Sequence, residues 1–325
     1  MDELPHWRVV MRRELNVPVW IAFQQEHGPA IEEMRAVLRE RGEVSNREFA
    51  AAARTRVDSY RGRKDSALAL HFLWRIGDAM IARRDGFERV YAPTEAVAPP
   101  ALLRESDPAE ADDFLLTKLV ATDGLAAPMR SVGNWLRRPV PAAELAAWRA
   151  AKLAAGELIE VRVHGWRAPH LALATDLPVL EALLGGRVPR AWRPIGPTTL
   201  DEATFLAPLD PVSARGRARP LFGFDYAWEI YKPEHLRRYG PYTMPILWGD
   251  ALVGRFDARM DRATRTLAVN GLWLEVEALG ANEAFVEALG RGMDRLLAFL
   301  GAERAEVTAV PQRAIRARLA RAPYR

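Results

Sequence analysis

The sequence predicts an α+β protein: repeated helical units, then a β-rich C-terminal module with a terminal helix. Three observations carry this. A helix, capping box, helix, glycine and hairpin follow one another between Ile31 and Thr94. The same order returns, more weakly, between Ala109 and Leu173. Past a Gly-, Pro- and Arg-rich stretch at 185–197, three strand-like runs lead into a long amphipathic helix.

In the first unit, Ile31, Met34, Val37 and Leu38 have the spacing of one helical face, and Gly42 ends that helix at Arg41. Ser45-Asn46-Arg47-Glu48 is a capping box, in which the Ser and Glu side chains each satisfy an orphan backbone N–H. It opens a short helix expected to run through Phe49 to about Ala53. A third helix is expected over Asp65–Ile76, stopped by Gly77. Two β-type runs, Met80–Arg84 and Phe87–Tyr91, flank Asp85-Gly86 as a hairpin, with Ile81 and Val90 facing inward. Three helices and a hairpin make a winged helix, whose third helix reads DNA and whose hairpin is the wing. Arg61, Arg63 and Lys64 precede that third helix, whose N-terminus favours phosphate, and Arg83 and Arg84 lie on the wing. The same architecture also serves protein contacts; these cations favour DNA.

The second unit is expected to have helices at 109–120, 127–136 and 141–155, a stop at Gly156, and a hairpin from Glu157 to Leu173 turning at His164-Gly165. The third part should hold strands at 243–248, 251–260 and 265–275, then a helix at 282–300, arranged as a meander or small barrel. The expected domains are residues 1–95, 96–190 and 191–325.

Composition narrows the function. The 325 residues are 49% hydrophobic and 27% charged, a globular balance. The net charge is +4 and the pI about 9.5, which favours polyanionic partners. Lys occurs only at positions 64, 118, 152 and 232, so the cations are nearly all Arg, as a GC-rich genome would also produce. The chain lacks Cys, which excludes disulfides, thiolate metal sites and a Cys nucleophile and fits a reducing cytoplasm. Residues 1–13 have no signal-peptide apolar stretch, and no run nears the roughly 18 apolar residues of a membrane span. The six His have no metal spacing, and no P-loop, dinucleotide or nucleophile-elbow pattern occurs. No metal and no cofactor are expected. Asp210, Asp225 and Asp257 are open to acid–base roles but better suited to turn caps or Arg pairing. Trp166 and Tyr239 are open to base stacking or to core packing.

Residues 208–261 carry a longer ordered pattern. Pro208-Leu209-Asp210-Pro211 leads to Arg215, Arg217 and Arg219. Leu221-Phe222-Gly223-Phe224-Asp225-Tyr226 and Glu229-Ile230-Tyr231-Lys232-Pro233 follow. Arg237-Arg238-Tyr239-Gly240, Gly249-Asp250, Leu252-Val253-Gly254-Arg255 and Asp257 complete it. With the units at 31–94 and 109–173 in front, this pattern resembles the YcaQ/AlkZ family of DNA glycosylases over most of the chain. The resemblance implies winged helices around a basic groove, and cleavage of the N-glycosidic bond of alkylated or crosslinked purines in double-stranded DNA. It implies DNA contacts at Arg215, Arg217, Arg219, Arg237, Arg238 and Tyr239 beside Arg61, Arg63, Lys64, Arg83 and Arg84. A monomer in the cytoplasm is expected.

One departure matters. The family's catalytic triplet is Gln, an apolar residue, then Gln or Asp, in an N-terminal winged-helix unit. The only glutamines here are Gln24, Gln25 and Gln312, and none stands in such a triplet. Gln24-Gln25-Glu26 has the outer spacing with a polar centre. The resemblance therefore implies a chain that begins after the catalytic unit, with catalytic residues unassigned. Two functions stay open: a glycosylase, or a non-catalytic DNA-binding protein such as a regulator or accessory repair factor.

Overall fold

A computed structural model describes residues 2–49, 65–127, 132–193, 201–214 and 216–321. The chain divides into two compact units, Met1–Pro189 and Arg190–Arg325. No helix among the described residues is long and apolar enough to cross a membrane.

Unit 1 begins with α1 (Leu4–Arg13) and α2 (Pro18–Arg41). The periodicity predicts only the second half of α2. The helix reaches back to Pro18 through a kink at His27, where Pro29 has no N–H for the ladder. It survives because Phe23 and His27 continue the buried stripe of Ile31, Met34 and Leu38. Strand β1 (Val44–Ser45) follows, then the capping box: Ser45 N donates to Glu48 Oε1 (2.6 Å) and Arg47 N to Ser45 Oγ (3.2 Å). The expected helix through Phe49 does not form at that point. The box closes a single 3-10 turn, and Phe49 is extended at φ −101°, ψ 132°. Residues 50–53 of that expectation lie outside the described residues.

Helix α3 (Asp65–Ile76) ends before Gly77 as expected, with Leu68, Leu70, Phe72, Leu73 and Ile76 buried against α2. Strands β2 (Ala79–Asp85) and β3 (Glu88–Pro93) pair antiparallel, β1 adds to β3, and a bulge falls between Ile81 and Arg83. Val90 is buried and Ile81 packs on the core, as the alternation requires. The turn sits one residue later than expected. Asp85 pairs with Glu88, so the turn residues are Gly86 and Phe87. Only Gly86 has positive φ (+62°), the arrangement of a II′ turn.

The second half of unit 1 continues through the single turn α4 (Thr94–Val97) to α5 (Pro108–Asp123), α6 (Gly133–Leu136) and α7 (Ala142–Ala154). Asp107 caps α5 through the N–H groups of Ala109 and Glu110. Strands β4 (Leu158–Val161) and β5 (His170–Leu173) pair from Leu158↔Leu173 to Val161↔His170. The expected tight turn at His164-Gly165 is thus only part of a loop over 162–169, and Trp166 lies in that loop 4.6 Å from the His170 ring. Gly165 still takes positive φ (+81°). Helix α8 (Leu177–Leu184) closes the unit. The two halves join at a polar node. Arg13 holds Asp112 (2.5 Å), Arg138 holds Asp112 (2.8 Å), and buried Glu14 pairs with Arg75 and with Arg137 (2.9 Å).

Unit 2 is an open five-stranded sheet of order β10-β9-β8-β7-β6. Its strands are β6 (Thr204–Phe205), β7 (Met244–Trp248), β8 (Ala251–Asp261), β9 (Thr266–Leu274) and β10 (Arg304–Glu306). The meander β7–β8–β9 matches the expected strands, and β10 lies parallel on β9. Short helix α9 (Ala218–Phe222) precedes the meander; α10 (Glu283–Leu300) and α11 (Arg313–Leu319) follow it. Phe285, Leu289, Met293 and Leu297 on α10 pack on Ile246, Phe256 and Leu272 of the sheet. Their i, i+4, i+8 spacing makes one continuous stripe.

Candidate nucleic-acid interface

Between α9 and β7, residues 223–243 form an irregular loop whose backbone is organised by two buried carboxylates. Glu229 is 2% exposed. Its Oε2 accepts from the N–H groups of Arg238 (2.9 Å), Tyr239 (2.8 Å) and Gly240 (3.3 Å), and its Oε1 from Lys232 Nζ (2.8 Å). Burial alone would raise its pKa. The Lys232 hydrogen bond and the N–H groups of Tyr239 and Gly240 outweigh burial and hold the carboxyl at about 2. Asp257, 1% exposed on β8, accepts from Tyr242 N (2.9 Å) and Asn270 Nδ2 (2.8 Å). Both groups anchor the loop, Glu229 through four accepted hydrogen bonds and Asp257 through two, and oxygens engaged in this way suit neither to general acid–base work.

The loop carries an aromatic and cationic layer. Arg255, 5% exposed, places its guanidinium 4.3 Å from the Phe224 ring centre and 4.4 Å from that of Tyr239. It also donates to Asp225 O (2.9 Å) and pairs with Glu275 (3.1 Å). Arg238 lies over Tyr239 (4.8 Å), and Trp273 meets Tyr239 edge-on. Tyr226 donates its phenol to Thr243 O (2.8 Å), and burial pushes that phenol up to about 12.

The sequence-predicted site residues therefore part ways. Arg238 and Arg219 are exposed. Arg237 is turned back on its own loop, donating to Lys232 O (2.9 Å) and Ile230 O (3.4 Å). Tyr239 is half-buried and packs among Arg238, Arg255 and Trp273. Arg217 is half-buried next to α9. Of the three aspartates, Asp210 caps a turn through Val212 N (2.9 Å), Asp257 anchors the loop, and Asp225 is exposed, lending its carbonyl to Arg255. In unit 1, Arg83 is bound by Asp85 and by Glu43 (3.1 Å), while Arg84 is exposed. Arg61, Arg63, Lys64 and Arg215 lie outside the described residues. The sequence names Arg255 and Glu229 in the family pattern without giving either a role. Their position inside the 221–257 pattern was the available signal.

Gly240 has φ +135°, and a Cβ there would stand 2.5 Å from Asp257 Cγ. Gly240→Ala should therefore cost about 1–3 kcal/mol in backbone strain, with the clash in addition. Urea unfolding measures it; an unchanged midpoint would show that the loop relaxes freely.

Unit 1 also has a crevice of about 230 Å³ lined by Arg8, Arg12, Arg35 and Arg39 with Asp78 and Glu95. Asp78 bridges Arg12 (2.6 Å) and Arg35 (2.8 Å), so much of that charge is internally neutralised. Gln24, the first of the three residues with outer triplet spacing, spends its amide on Trp20 O (3.1 Å) and Leu15 O (3.5 Å), while Gln25 and Glu26 are exposed on α2.

Comparison with solved structures finds the Streptomyces sahachiroi DNA glycosylase AlkZ at a TM-score of 0.54 and 15% identity, covering 93% of this chain and 75% of that one. At that identity the likeness speaks to the mixed α+β fold. The family model "DNA glycosylase AlkZ-like" matches residues 1–299, nearly the whole chain and all of the 208–261 pattern. The chain belongs to the AlkZ-like DNA glycosylase family.

Proposed function

We propose that this protein binds double-stranded, damaged DNA through two tandem winged-helix units within residues 1–189, assisted by the loop at 223–243. Its chemistry is that of the family, attack on the N-glycosidic bond of alkylated or crosslinked purines. The observation that carries this reading is the family match over residues 1–299. The order of three helices and then a hairpin in each half of unit 1 supports the winged-helix assignment, with α3 and α7 as third helices and β2–β3 and β4–β5 as wings. The exposed cations Arg84, Arg219 and Arg238 are the described candidates for phosphate contact, and Arg61, Arg63, Lys64 and Arg215 are proposed beside them.

A cationic alkylpurine is already a fair leaving group. The enzyme's share of the work is to stabilise an oxocarbenium-like sugar and to place water. Neither anchoring carboxylate of the loop offers that service, and the sequence holds no Gln-apolar-Gln or Gln-apolar-Asp triplet. This favours a second reading, a non-catalytic DNA-binding protein, which the excision assay in the Discussion separates from the first.

Binding is tested by duplex affinity at several salt concentrations. Each neutralised phosphate adds about −0.9 to the slope of log K against log salt, so three to five contacts give a slope of about −2.7 to −4.5. Salt-independent affinity, or no binding at low salt, would refute the reading.

A further inference from the structure

The tip of the β2–β3 hairpin carries an apolar ring that packs on nothing among the described residues. Phe87 is 89% exposed, as a solvent-facing Phe seldom is, and Gly86 at φ +62° forms the tight turn that holds it at the apex. The charges below it are sorted by face. Arg84 and Arg89 are directly opposed across the strands, a like-charge pair that destabilises a hairpin unless something anionic offsets it. Arg89 rests over the Trp74 ring (5.3 Å), whereas Arg84 has no ionic partner among the described residues. Asp85 and Glu88 form the next opposed pair, and strand alternation puts them on the other face. Both are neutralised from within, Asp85 by Arg83 and Glu88 by Arg47 (3.4 Å). The hairpin thus offers one basic face, no free acid, and an apolar point.

We propose that this hairpin is a duplex-probing wedge: Phe87 inserts between two base pairs from the minor groove while Arg84 takes a neighbouring phosphate. Apolar side chains used in this way unstack a base step and kink the helix, and the cost is lowest where pairing or stacking is already weakened. The wedge would favour sites of damage without reading a base edge. The inference rests on the DNA-binding reading above.

The test uses the full 325-residue chain and two duplexes, one end-labelled for affinity and one carrying 2-aminopurine beside a mismatch. The unaltered chain should raise 2-aminopurine fluorescence several-fold at saturation, because the fluorophore is freed from its stack. Phe87→Ser should abolish that rise while binding persists. Phe87→Leu, still an apolar wedge, should keep most of it. Arg84→Ala should make the salt slope shallower by about 0.9 and leave the rise at saturation intact. Because Phe87 contributes nothing to the core, Phe87→Ser should melt with the unaltered chain, which separates a wedge from a folding defect. Binding without a rise, or a rise that Phe87→Ser retains, overturns the wedge and leaves the DNA-binding reading standing. Absence of binding by the unaltered chain overturns both.

Discussion

Replacing Glu229 by alanine should lower the stability of residues 190–325 by about 3 kcal/mol, roughly 10 °C in Tm for a unit of this size. The substitution removes one buried carboxylate and strands three backbone N–H groups with Lys232. A half-exposed Lys232 recovers water, but the N–H groups of Arg238, Tyr239 and Gly240 do so only by opening the loop. Glu229→Gln keeps the shape and loses the charge, so it should fall in between. The pH dependence has a definite sign. A carboxyl held at about 2 in the folded chain, against an ordinary value of 4.5, adds stability that is fully present above about pH 4.5. That contribution fades as the pH falls from 4.5 towards 2, and is worth about 2–3 kcal/mol at its plateau after allowance for solvent screening at its half-exposed partner Lys232. The gap between the unaltered chain and Glu229→Gln should therefore narrow across that window. Urea unfolding at pH 7 and pH 3 measures it. A deficit for Glu229→Ala under about 1 kcal/mol would show that the loop does not hang on this side chain.

The elements legible in the sequence are those fixed by neighbours a few residues away. Helix α3 shows its apolar stripe and its stop at Gly77, and β8 and β9 are bounded by turns the eye can find. What escaped depends on distant partners. Pro29 reads locally as a helix break, yet α2 runs through it because Phe23 and His27 find a core formed by α3. The hairpin turn shifts from Asp85-Gly86 to Gly86-Phe87 because register is set along the whole of β2 and β3, bulge included. Glu229 and Arg255 stand in the family pattern with no role that the sequence assigns. Their burial follows from contacts with the N–H groups of residues 238–240 and with Asp225, 30 positions from Arg255. The family pattern in 221–257 marks these positions without saying that Glu229 and Tyr239 serve the loop and that Arg238 faces outward.

Incubated with duplexes carrying N7-alkylguanine or N3-alkyladenine, the 325-residue chain should release the damaged base at least about 10²-fold more slowly than a family member with the Gln-apolar-Gln triplet. Removing one preorganised donor from a developing charge typically costs about 10²–10³ in rate, and here a pair is absent. The glutamines that do occur offer no substitute. Gln24 is bonded to two backbone carbonyls, Gln25 is exposed on the same helix, and Gln312 donates to Glu277 (3.3 Å). Glu26 is exposed and lies 3.8 Å from buried His27. DNA affinity should nonetheless survive, because phosphate contacts are distributed over the surface and carry no catalytic duty. Alkali cleavage of the abasic product gives the rate, and affinity for the same duplex gives the control. Tight binding with negligible excision would favour the non-catalytic reading. Excision at the rate of the triplet-bearing relative would overturn the prediction, and loss of that activity in Gln24→Ala, Gln25→Ala or Glu26→Gln would then place the catalytic group on α2.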